Sequence, residues 1–361
     1  GAAFPRSGGE HHFLGALYHP SLGFMAGTLS ALSGFAAPTA ITAMAFGAYL
    51  NKAFPGIPPT TSAVAVILIG SAAHAIDART SARIQTAATA LKLLLILGFL
   101  ATAFALPGEG DIRWSPSPAE DLSAVAQPAF AVALLWVLYA YSGWNAAVYG
   151  LEGWNRPEQT VRRALIIGTA VVTVLYVALN AAFLKAAPVA SLRGVHGEIT
   201  VGEVAAVSLY GETAAAWVSA LFALGLFASV SAMLWAGPHV LAAMGRSTPS
   251  LGFFAPRHGT PRLGLMVQVV VALALVVLSA FDDLVTFTTI GLTLSTMLTV
   301  AGVFRLPKGH RRPVLPAVVF LAMTTFIVIY SLIQKTLPSV IGLATVVVLT
   351  AIGQFIHRRT R

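Results

Sequence analysis

Ten stretches of this 361-residue sequence, near 23–50, 60–76, 84–106, 128–150, 163–187, 213–236, 262–281, 284–304, 314–333 and 336–356, are almost free of Asp, Glu, Lys and Arg. Charge enters them only near their ends, apart from Lys92. At about 1.5 Å of helix rise per residue, each is long enough for a hydrocarbon layer of about 30 Å. The segments are apolar all round and do not alternate polar and apolar side chains, so helices are expected and not barrel strands. With 57% of residues hydrophobic and 10% charged, no separate water-soluble domain fits, and residues 1–361 read as a single transmembrane domain.

The formal net charge of +9 raises nucleic acid as a partner, but the charges sit in the loops and form no basic stripe with interleaved aromatics, so a nucleic-acid partner is not expected. Counted over alternate loops, 16 of the 22 Lys and Arg fall on one side and five on the other, with Lys92 inside a span. Basic residues accumulate on the cytoplasmic side, which places both ends of this chain in the cytoplasm. Cysteine is absent, which excludes disulfide scaffolds, Cys-ligated zinc and iron–sulfur clusters. The start shows no basic region followed by an apolar stretch, and it lacks an initiating Met, so a missing front is expected.

The most informative segment is Leu135-Trp136-Val137-Leu138-Tyr139-Ala140-Tyr141-Ser142-Gly143-Trp144-Asn145. It sets Ser-Gly and Asn among bulky aromatics where a lipid-facing helix favours Leu or Val. One reading is an interrupted helix whose freed N–H and C=O groups line a cavity. The other is a continuous helix that uses Ser and Gly to pack closely against a neighbour.

Tyr141-Ser142-Gly143, followed by Glu152 and by Asn155-Arg156-Pro157-Glu158, resembles the sixth span of the amino acid, polyamine and organocation (APC) transporter family, with its aromatic-rich Tyr-x-Gly break, acidic residue and Asn-x-Pro loop. Gly153 stands where family members often carry a second acid. Phe4-Pro5-Arg6-Ser7-Gly8-Gly9-Glu10 is similar to the Pro-x-x-Gly-Gly signature closing the family's second span, and Ser21-Leu22-Gly23-Phe24 with Gly27 to the entry of its third. The resemblance implies an all-α, LeuT-type inverted-repeat bundle lacking span 1 and most of span 2. Such a fold places the substrate where the broken first and sixth spans meet near the midplane. It implies a substrate site at Ser142, Gly143 and Trp144, with Tyr139 or Tyr141 as the gating aromatic and Asn145 where an acid could engage a second amino group.

Lys92 is the lone charge inside a span, which is costly unless it faces a cavity or partner or snorkels to the interface. The resemblance places it where sodium-coupled relatives hold a cation, facing Ser229 and Ser231, and implies a proton-coupling group. Glu10-His11-His12 lacks further ligands at helical spacing and reads as a juxtamembrane polar cap, not a metal site. Gly237-Pro238-His239 is similar to the family's Gly-Pro-Arg at the end of span eight, with His in place of Arg. The basic run at 305–312 reads as topogenic charge or as an anionic-lipid contact.

Together these imply a secondary transporter of the plasma membrane that moves amino acids by alternating access, with protons as coupling ion and no cofactor. A neutral substrate is expected, because no Asp or Glu lies deep in a span. The alternatives are a non-transporting fragment or incomplete gene model of such a permease, and an intramembrane enzyme. Against the enzyme stands the lack of paired intramembrane carboxylates, a His cluster or a Cys nucleophile.

Overall fold

The computed structural model describes residues 4, 8–76, 78–125, 127–148, 157–193, 201–256, 260–307 and 313–359. Every regular element among them is helical: α1 (Gly9–Leu17), α2 (Pro20–Leu29), α3 (Ala37–Ala53), α4 (Pro59–Ala75), α5 (Ala78–Ala105), α6 (Pro118–Val125), α7 (Pro128–Ala140), α8 (Pro157–Ala186), α9 (Val189–Arg193), α10 (Val201–Ser247), α11 (Arg262–Leu278), α12 (Phe281–Ala301), α13 (Val314–Gln334) and α14 (Thr336–Arg359). Short 3₁₀ turns cover Trp144–Val148, Pro249–Phe254 and Gly302–Arg305. Lipid offers the backbone no hydrogen-bond partners, so chains this apolar satisfy their own amides within helices.

Among the described residues, seven helices are long and apolar enough to cross a membrane, including the run Pro20–Ala53 that joins α2 to α3. The bent pair α6 and α7 passes the same test only as one span, and the apolar helices α4 and α11 are shorter, at 17 residues each. The outer face of the bundle is apolar: Ile166, Ile167, Val174 and Val177 of α8 are 61%, 61%, 67% and 66% exposed. A face of this kind suits hydrocarbon and not water.

Three departures from uniform helix shape the bundle. The Pro20–Ala53 run passes through a π-helical turn at Ser30–Ala36. Helix α10 carries a break at Gly211, where φ is 75° and ψ 167°, so its spanning part is 212–247 and outlasts the expected 213–236 at its far end. Pro238 therefore lies inside a helix and does not end one; His239 bonds back through Nδ1 to the Trp235 carbonyl at 2.9 Å. The third departure is the end of α7.

The main core lies where α3, α4, α10, α11 and α12 meet, around Ile41, Ile67, Leu234 and Val285. Helix α7 packs against α12 and α13, and α14 lies against α2 and α12. Helix α1 lies across one end of the bundle, touching α2, α12 and the Trp144–Val148 turn.

Candidate functional site

Helix α7 stops at Ala140, one residue before the Tyr-Ser-Gly sequence, so the interrupted-helix reading is the one the structure adopts. Tyr141 still donates its N–H to the Val137 carbonyl at 3.0 Å, but Ser142 tightens onto Tyr139 at 3.0 Å. Gly143 then takes φ +90°, a conformation L side chains rarely adopt, and the chain resumes as the Trp144–Val148 turn. A Cβ at Gly143 would meet nothing within 4 Å, so this glycine serves backbone conformation and not close packing.

The ends of a broken helix need other partners for their backbone groups. Tyr176 of α8 donates its hydroxyl to the Ala140 carbonyl at 2.8 Å, and Tyr141 donates to Thr173 Oγ1 at 3.0 Å. The two tyrosine rings meet edge to face at 5.3 Å. The unwound segment is thereby pinned to α8 on one side.

Two cavities flank it. One, of about 150 Å³, is lined by Tyr139, Tyr141, Ser142, Gly143 and Trp144 together with Thr289, Leu292, Thr293 and Thr296 of α12 and Phe320 of α13. The other, of about 310 Å³, lies between the same segment and α8 at Leu165, Gly168, Thr169 and Tyr176. The described lining residues carry hydroxyls, aromatic rings and aliphatic groups, and no charged side chain. Tyr139, Tyr141, Ser142, Gly143 and Trp144 are thus brought to one wall. Asn145 continues the turn, but its side chain lies outside the described residues, as do Glu152, Gly153, Asn155 and Arg156.

The threonines of α12 were not singled out in the sequence. Thr289, Thr293 and Thr296 are spaced four and three apart, which puts three hydroxyls on one helical face, and that spacing is the signal that could have found them. Thr289 spends its proton on the Val285 carbonyl at 2.7 Å, leaving its oxygen to accept.

Lys92 extends to α10 and donates to Ser229 Oγ at 3.2 Å, so the ammonium ends on a neighbouring helix. Lys92 is not among the residues lining either cavity. Ser231 corrects the expected grouping. It donates to Gln85 Oε1 at 2.9 Å and lies 2.8 Å from Nε2 of His74, a buried side chain on α4. Two steps along a helix turn a side chain about 200° away, so Ser229 and Ser231 serve different neighbours. With the Ser231 proton committed to Gln85, His74 is the donor through Nε2–H. The sequence reading did not include His74 or Gln85.

Glu10 and His11 also depart from the expected polar cap, because both turn inward. Glu10 is 0% exposed and accepts hydrogen bonds from Ser295 Oγ and Thr296 Oγ1, each at 3.0 Å. Burial pushes its carboxyl up to about 7, against the lowering pull of the Thr296, Ser295 and Thr299 hydroxyls. His11 donates through Nδ1 to the Gly23 carbonyl at 2.8 Å and meets Ser247 Oγ through Nε2 at 2.6 Å, and burial lowers its pKa. No cluster of three or more His, Cys, Asp or Glu that could hold a metal occurs among the described residues.

A bundle of apolar helices with a cavity beside an unwound segment, its described lining uncharged, has the architecture of a membrane transport protein. A family model described as amino acid permease matches residues 1–361, and the chain belongs to that family. It is 26% identical over 246 residues to amino acid transporter protein 6 of Caenorhabditis elegans, a match covering 64% of this chain and 43% of that protein. It is 26% identical to the mouse Asc-type amino acid transporter 1, covering 98% of this chain and 69% of the relative. It is also 26% identical to the human large neutral amino acids transporter small subunit 2, covering 98% and 68%. The chain thus spans less than half the length of the worm relative and about two thirds of the mammalian ones.

Proposed function

We propose that this protein is a secondary active transporter that moves neutral amino acids across the plasma membrane by alternating access, with the unwound 141–144 segment as its substrate site. The observation that carries this reading is the cavity at the α7 break, whose described lining offers hydroxyls and aromatic rings but no charge. A zwitterion's ammonium and carboxylate suit carbonyls and N–H groups released by a broken helix, and the absence of a carboxylate among the described lining residues disfavours a cationic side chain. The names of the relatives, Asc-type and large neutral amino acid transporters among them, point the same way. The inverted-repeat arrangement of the LeuT type belongs to the same proposal and is supported by the mid-span break.

Lys92 is the coupling group in this reading. Its contact with Ser229 joins α5 to α10 without any carboxylate partner among the described contacts, so gain or loss of its proton would change the charge held at that helix contact. Both ends of the chain lie in the cytoplasm, as the loop charges indicate. Uptake by proteoliposomes with an inward proton gradient tests the whole: leucine or alanine is taken up in preference to arginine, and Lys92→Ala removes the response to the gradient. Preference for arginine, or gradient-driven uptake surviving in Lys92→Ala, would refute the substrate class or the coupling role respectively.

A further inference from the structure

Glu10 is fully buried at the end of the bundle, yet its described hydrogen-bond partners are hydroxyls and not a basic group. One of those partners, Thr296, also lines the cavity beside the unwound segment. The helix that carries Glu10 touches the other wall as well, because Phe13 packs against Val148 at the end of the Trp144–Val148 turn. A carboxyl group on α1 is therefore one hydrogen bond away from the cavity.

We propose that Glu10 is a second proton-coupling residue, a positioning residue that reverses the hydrogen-bonding sense of Thr296 at the substrate cavity when it gains or loses a proton. This inference rests on the transport reading and deepens it. As a carboxylate, Glu10 accepts the protons of both Ser295 and Thr296, so Thr296 offers only its oxygen lone pairs to the cavity. A proton taken from water onto a Glu10 oxygen turns that oxygen into a donor toward one hydroxyl. Thr296 is then free to donate its O–H into the cavity, where a substrate carboxylate accepts it. No other bond forms or breaks, and the proton returns to water when Glu10 ionises again. By linkage, a substrate that takes up the Thr296 donor favours protonated Glu10, so proton and amino acid bind together.

Among the described residues, the side chains that hydrogen-bond to the Glu10 carboxyl are hydroxyls. Helix α12 presents Ser295, Thr296 and Thr299. The Gly302–Arg305 turn presents Arg305, whose guanidinium lies 4.4 Å over the ring of Tyr18. Helix α10 brings Arg246 and Ser247, the latter occupied with His11; α2 is headed by His19, which engages Ser21; α8 carries Arg162 and Arg163; and α1 itself adds His11 and His12. Burial lifts the carboxyl to about 7, which puts its proton exchange in the working range.

Infrared difference titration of the protein in lipid tests this without relying on transport. The protonated-carboxyl band of wild type, missing from Glu10→Gln, is expected to titrate near pH 7, to move up by about one pH unit in Thr296→Val, and to move up in saturating leucine. Should Glu10→Gln fail to fold, the difference between wild type and Thr296→Val carries the same band. Glu10→Gln proteoliposomes should show uptake that changes less between pH 6 and 8 than wild type's, the remainder belonging to Lys92, while leucine binding persists. A band midpoint below 5, a midpoint indifferent to Thr296→Val, or uptake in Glu10→Gln with the wild-type pH profile would overturn the proposal. Wild-type proteoliposomes that take up no neutral amino acid would refute the transport reading instead, and the Thr296 dependence of the band would still decide this one.

Discussion

Gly143 bears the greatest conformational demand of any residue at the candidate site. Its φ of +90° costs a residue with a Cβ about 1–2 kcal/mol, whereas the space around it is open. Gly143→Ala is therefore expected to lower uptake about tenfold and the thermal midpoint by a few degrees, without a new clash. Gly98 gives the control, because it is helical, also has nothing within 4 Å of an added Cβ, and should gain or hold stability on change to Ala. Equal losses in the two variants, read by uptake and thermal unfolding, would contradict this account. Ser142-Gly143 among aromatics is legible as unusual in the sequence, but spacing alone does not separate a break from a packing contact. The sign of φ does, and it depends on Tyr176 and Thr173 of α8 holding the strand of chain beyond α7.

The element whose role was least legible is α1. Two histidines and a glutamate next to a span look like a solvated cap, because their partners lie far along the chain: Ser295 is 285 residues from Glu10, and Ser247 is 236 from His11. By contrast the long spans are legible, since their uniform apolarity is a local property that lipid rewards directly. Gly23 holds α1 against α2, for a Cβ there would sit 2.6 Å from the His11 carbonyl oxygen and 3.0 Å from Gly15 backbone atoms. Gly23→Val should detach α1 and expose 8–17 to limited proteolysis in detergent; an unchanged cleavage pattern would show that the contact is dispensable. The docking also carries a pH signature. The folded protein holds a proton on Glu10 between the ordinary 4.5 and about 7, where the unfolded chain has released it. That stabilisation is complete below about pH 4.5 and disappears as the pH rises through 7, a contribution of about 3 kcal/mol by linkage. The lowered pKa of His11 acts in the opposite sense, so the comparison must be with Glu10→Gln. Relative to that variant, wild type is expected to lose thermal stability between pH 5 and 7.5, and parallel curves would rule out the buried carboxyl as the cause.

At the scale of the whole molecule the undecided quantity is how many times the chain crosses the bilayer between its loops. Helices α6 and α7 qualify as a span only together, and a bent pair of this kind is either a broken span or a re-entrant loop. The two cases differ in parity. Between Ser115, before α6, and Ser250, after α10, lie the α6–α7 pair, α8 and α10. If the pair crosses, the two serines face opposite sides; if it re-enters, they share one. The loop charges add direction, because Arg246 and Arg257 flank Ser250 while Glu109, Asp111, Glu120 and Asp121 surround Ser115, which puts Ser250 in the cytoplasm. The sequence contains no cysteine, so single replacements at these exposed serines can be read against a blank parent. A membrane-impermeant maleimide is expected to label Ser115→Cys on intact cells and Ser250→Cys only after permeabilisation. Labelling of both from one side would make the 118–140 pair re-entrant and leave the cavity at Gly143 open to a single face of the membrane, which alternating access does not allow.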